Sequence, residues 1–157
     1  MHGGHCHRHL GVFVKLIPLA HEYNVRLVLV NRRDYPGAVP YTSDERARLL
    51  AIGIESQVDA AAAQPKMKAF MEEGGRDLHS LLADLVANND IPLARPEKNS
   101  GGIVLVGWSL GTSWMTAFLA NVGSFPHDSV DLSNYVRRVV FYGTCPSPSV
   151  SCTGSLK

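Results

Sequence analysis

The stretch Ile103–Gly111, IVLVGWSLG, decides how the rest of the chain is read. Its first four residues are apolar and run without a polar break into Gly107, as expected of a strand buried on both faces of a parallel sheet. Gly107, Ser109 and Gly111 then fit G-x-S-x-G, the nucleophile elbow, in which a strained strand-to-helix turn lifts a serine hydroxyl above the carboxyl edge of a sheet. Without a Cβ at Gly107 or Gly111, the following helix can lie close to the strand and hold Ser109 in an unfavourable backbone conformation. Next come the residues SLGTSWMTAFLANVG, with Leu110, Trp114, Ala117, Phe118 and Ala120 at helical spacing and Gly123 as a stop. G-x-S-x-G alone is a loose pattern. The strand before it and the helix after it favour the elbow, while a glycine-rich βα turn whose serine only caps the helix stays open as the alternative.

Working back from the elbow, Asp77 to Asn88 (DLHSLLADLVAN) forms an apolar stripe through Leu78, Leu81, Leu82, Leu85 and Val86, which predicts a helix. Thr42 to Gln64 opens with Thr-Ser-Asp-Glu, a helix start, and continues as one or two helices, with breaks expected at Pro65 and at Gly74-Gly75. Val25 to Val30 (VRLVLV) is a β-branched, apolar run bounded by Asn24 and Asn31 and predicts a second buried strand. NRRDYPGAVPY is loop, with Asp34 just past that strand's carboxyl end, the edge where sites in open α/β sheets lie. Leu10 to Tyr23 has helical spacing with a kink or restart expected at Pro18. Beyond the elbow helix, GSFPHDSVDLSN is loop or a short turn and Tyr135 to Tyr142 (YVRRVVFY) predicts a third strand. This alternation predicts an α/β domain over residues 1–142 with a parallel sheet and helices on both faces. TCPSPSVSCTGSLK is Ser- and Pro-rich, so residues 143–157 are expected to be a disordered tail.

The 157 residues suffice for one domain with a core. A formal net charge of +1 gives no electrostatic reason to expect a nucleic-acid partner or an anionic membrane surface. No run reaches the roughly 18 to 20 apolar residues of a membrane span, and the first residues lack the layout of a signal peptide. Cys6, Cys145 and Cys152 are odd in number and widely spaced, which argues against a disulfide framework and makes a reducing, cytoplasmic compartment the default. His2, His5, Cys6, His7 and His9 crowd the amino terminus without matching the paired spacing of a zinc site, so no metal is expected; a metal-binding or interaction module is the weakest of the functional readings. The same residues offer His2-Gly3-Gly4 as a turn whose backbone N–H groups could face an anion beside Ser109.

With HGG at its start, a strand followed by NRRDYPG, and a strand running into GWSLG, the chain resembles the α/β-hydrolase fold superfamily over roughly residues 2 to 142. The resemblance implies a three-layer, mostly parallel sheet with helices on both faces, here a partial one lacking the first strands and the carboxyl-terminal strands. It implies Ser109 as nucleophile, Leu110 and Gly4 as oxyanion-hole donors, hydrolysis of a small-molecule carboxylic ester by acyl transfer, and no cofactor. One such donor contributes on the order of 3 kcal/mol to catalysis.

A serine also needs a general base, normally a histidine oriented by a carboxylate. In the superfamily both follow the serine, and the chain stops too soon to supply them on the expected strands. His127, Asp128 and Asp131 fall in a link that belongs at the opposite edge of the sheet. His21 and His79 read as helix-surface residues. The triad acid and histidine are therefore expected to be missing, the domain truncated at both ends, and a catalytically incomplete or non-catalytic hydrolase-fold fragment is the competing expectation. Oligomeric state is not legible.

Overall fold

A computed structural model of the chain describes residues 11–125 and 130–143. The element order is α1 (Gly11–Val14), α2 (Leu16–Glu22), α3 (Ser43–Val58), α4 (Ala60–Asn88), β1 (Ile103–Trp108), α5 (Gly111–Asn121) and β2 (Val136–Tyr142). Short 3-10 turns lie at Pro96–Lys98, Val122–Ser124 and Leu132–Asn134. The chain divides into two compact units, Met1–Gly53 and Ile54–Lys157.

In the first unit the helical spacing after Leu10 is realised as two short helices that part at Lys15, and Pro18 is accommodated in the first turn of α2. Asn24, at φ 49°, ends α2 in the left-handed conformation that asparagine tolerates at such a stop. Val25 to Val30 forms no ladder with a described residue, and Val25, Val28 and Val30 are 59%, 48% and 58% exposed. The strand expected there is absent. A β-branched run can enter a sheet only where another strand offers it a ladder, which its own sequence does not encode.

The following loop is held by polar contacts. Arg33 grips Glu45 with both terminal nitrogens (2.7 and 2.8 Å) and lies over the Tyr41 ring, while Arg46 pairs with Asp34 at 2.9 Å. Thr42 and Glu45 form a reciprocal capping box: Glu45 N–H donates to Thr42 Oγ1 (3.2 Å) and Thr42 N–H to Glu45 Oε2 (2.7 Å).

In the second unit Asp59 caps α4 by accepting from the N–H groups of Ala61 and Ala62, both at 3.0 Å. The helix then runs 29 residues, through Pro65 and through Gly74-Gly75, where breaks were expected. Close helix crossing accounts for the glycines. A Cβ on Gly75 would lie 2.9 Å from Phe118 N and 3.0 Å from Ala117 C, and one on Gly74 would strike the Trp114 ring. The pair thus lets α5 approach the axis of α4. Around that crossing lie Leu82, Val86, Phe118, Phe125 and Leu132, with Leu78, Ile103, Leu105 and Val136 against them.

β1 and β2 pair in parallel, Val104 opposite Arg138 through Trp108 opposite Tyr142, as a crossover through α5 requires. Leu105 and Gly107 face α5. Val104, Val106, Val140 and Tyr142 occupy the other face and are 42%, 57%, 36% and 66% exposed. The expected three-layer, mostly parallel α/β-hydrolase sheet is thereby overturned: the described chain is mostly helical, α+β, with two short strands in one sheet. A sheet of two strands is too narrow to seat helices on both faces, and here α4 and α5 provide one layer only.

Candidate functional site

β1 ends at Trp108, α5 begins at Gly111, and two residues make the change of direction. Ser109 takes φ +52°, a left-handed backbone that side chains with a Cβ rarely adopt. Its N–H donates to Tyr142 O at 2.9 Å, extending the ladder one residue beyond β1. Its carbonyl accepts from Thr112 N–H at 3.0 Å and from Thr112 Oγ1 at 2.7 Å. The Ser109 side chain is exposed, and no described residue hydrogen-bonds its hydroxyl. Ser109 is thus a positive-φ residue between the end of a strand and the start of a helix.

The two elbow glycines do different work. A Cβ on Gly107 would sit 2.6 Å from Met115 Sδ and 3.1 Å from Thr112 Cα, so the strand's glycine admits the first turn of α5. Around Gly111 there is nothing within 4 Å, and close packing, expected of both positions, does not require a glycine there. Leu110 is helical at φ −59°, ψ −21°, and its N–H donates to no described residue. It lies at the amino end of α5, whose N–H dipoles favour an anion. Gly4 lies outside the described residues, as do His2, His5, Cys6, His7, His9, His127 and Asp128.

Two histidines are described. His21 lies on α2 in the first unit. His79 was expected on a helix surface, but it is 5% exposed, with its ring against Phe125 (5.5 Å) and Phe118 (6.4 Å). Phe118 is about 10 Å further along α5 than Gly111, so an imidazole packed on it is out of hydrogen-bond reach of Ser109. Asp131 caps the turn that leads into β2, accepting from Ser133 N–H (3.0 Å) and Asn134 Nδ2 (3.1 Å). Since β2 runs parallel to β1, that turn lies at the amino edge of the sheet, about 20 Å from the elbow. Asp34 is committed to Arg46 and to Tyr41 N–H (3.1 Å) and follows no strand.

Among the described residues no cluster of His, Cys, Asp and Glu could hold a metal ion, and no helix is long and apolar enough to cross a membrane. An open groove of about 370 Å³ lies on the first turns of α4, lined by Ala60, Ala63, Met67 and Met71 among others. Thr112 was not foreseen from the sequence. Its signal was a hydroxyl-bearing, β-branched residue three positions after the serine, where a side chain can bond back to an i−3 carbonyl.

No family model, no curated protein and no solved structure matches the chain.

Proposed function

We propose that Ser109 is the nucleophile of a serine acyl-transfer site, with hydrolysis of a small-molecule carboxylic ester as its usual outcome. The observation that carries this reading is the left-handed Ser109 between β1 and α5, its hydroxyl exposed, followed directly by the Leu110 N–H at the helix start. In the reaction the hydroxyl oxygen bonds to the carbonyl carbon as its proton passes to water, and the carbonyl π pair moves to the oxygen, where Leu110 N–H stabilises the charge. When the carbonyl re-forms, the bond to the ester's alkoxide breaks, the alkoxide takes up a proton and leaves as the alcohol, and water then cleaves the acyl-serine to the acid and free Ser109. The resemblance to the α/β-hydrolase superfamily, carried by GWSLG, belongs to this proposal; the superfamily's three-layer sheet does not. A reducing, cytoplasmic setting goes with the three widely spaced cysteines.

A second reading, a non-catalytic module that keeps the strand–turn–helix, is favoured by the positions of His79 and Asp131, neither of which is placed to act as a base for Ser109. One experiment separates the two. The full chain is treated with a fluorophosphonate probe and the adduct is mapped by mass spectrometry, with Ser109→Ala as control. A Ser109 adduct absent from the control supports the nucleophile. No adduct on the folded chain rejects it and leaves the non-catalytic reading.

A further inference from the structure

We infer that Thr112 is a positioning residue that holds Ser109 in its left-handed backbone conformation, an inference that rests on the reading of Ser109 as nucleophile for its functional meaning. A serine gains nothing intrinsic from a positive φ, so neighbouring contacts must select that conformation. The Ser109 carbonyl receives both donors of one residue, Thr112 N–H at 3.0 Å and Thr112 Oγ1 at 2.7 Å. Thr112 is only 8% exposed, which leaves its hydroxyl little access to water as an alternative acceptor. Its own place is fixed from two sides. Its Cα lies 3.1 Å from the point a Cβ on Gly107 would occupy, so α5 is seated against β1 at this residue. Its carbonyl accepts from Thr116 Oγ1 at 2.9 Å. The strand therefore locates Thr112, and Thr112 orients the Ser109 peptide, which sets where the hydroxyl and the Leu110 N–H point.

Thr112→Val keeps the shape and removes the donor, and Thr112→Ser keeps the donor. Two readouts are taken on the full chain: the three-bond HN–Hα coupling and backbone chemical shifts of Ser109, which report φ, and the rate of fluorophosphonate labelling. The valine variant is expected to lose the left-handed signature and to label about tenfold more slowly, while the serine variant keeps both. Should the valine variant not fold, Thr112→Ala carries the same expectation. A donor-less variant that folds and retains the left-handed Ser109 overturns the inference. If the wild type never labels while the signature still depends on the hydroxyl, positioning stands and the nucleophile falls. If the wild type labels and the donor-less variants label equally fast, the nucleophile stands and positioning falls.

Discussion

Val25–Val30 and Ile103–Trp108 are two runs of six residues, both rich in apolar and β-branched side chains (with Arg26 the one charge), and by pattern both are buried strands. In the second, every residue has a partner on β2, Gly107 is buried, and Ile103 and Leu105 lie against the core. The first is exposed along its length, with no ladder to a described residue. Composition therefore measures the capacity to join a sheet, while membership depends on a second strand delivered to the right edge. For β1 that delivery is local: α5 returns the chain to a parallel β2 within one crossover. After Val30 come a polar loop and two helices, and the next strand in the chain is β1 itself. The division extends to the units as wholes, since nine of the ten buried apolar residues among those described lie beyond Gly53.

The largest contrast should come from truncating one residue of each region. Phe118, 2% exposed, sits where α4, α5 and Phe125 meet, so Phe118→Ala is expected to cost about 3–5 kcal/mol in urea unfolding. Val28→Ala should change stability by less than about 0.5 kcal/mol. A cost at Val28 comparable to that at Phe118 would show the run to be buried and would dissolve the contrast.

A smaller effect, opposite in sign between the regions, is expected at two helical glycines. At Gly75 a methyl group would press on backbone atoms of Phe118 and Ala117, so α5 would have to move as a body. Overpacking of about 1–3 kcal/mol then outweighs the roughly 0.5–1 kcal/mol gained in helix propensity, and Gly75→Ala should destabilise. Gly53, in α3, has nothing within 4 Å of a built Cβ, and Gly53→Ala should stabilise by about 0.5–1 kcal/mol. Thermal melts of the two variants would show it. Equal signs would mean that α4 and α5 do not cross at Gly75.

These pairs also mark what the sequence could carry. The strand, turn and helix around Ser109 were legible because all of them are local: β1, Gly107, the positive-φ Ser109 and α5 lie within about twenty residues, and each leaves its own residue preference. The cap at Thr42 was legible for the same reason, since its donors and acceptors sit three residues apart. Pro65 and Gly74-Gly75 misled, because a break and a close helix crossing ask for the same small or rigid residues, and only the presence of α5 distinguishes them. Val25–Val30 misled because pairing is non-local. His79 read as a helix-surface residue, yet the rings of Phe118 and Phe125, forty or so residues later, pack against it.

The smallest expected effect concerns how the first unit keeps its loop in order without an apolar core of the kind seen in the second. The Arg33 guanidinium, and after it the Thr42 N–H, hold the Glu45 carboxyl at about 2, below its ordinary 4.5. A carboxyl depressed in the folded state stabilises that state above its ordinary value, and the contribution is lost as pH falls from about 4.5 through about 2. Because the pair lies at the surface, salt should weaken it. Carbonyl 13C NMR of Glu45 should titrate with a midpoint near 2 in the wild type. In Arg33→Met the midpoint should move up toward the ordinary value without fully reaching it, because Thr42 N–H still donates to the carboxylate. Signals of Phe118 and Phe125 should be indifferent to that substitution. A wild-type midpoint near 4.5 would mean that the fork does not persist in solution, and the order of residues 31–46 would then need another source.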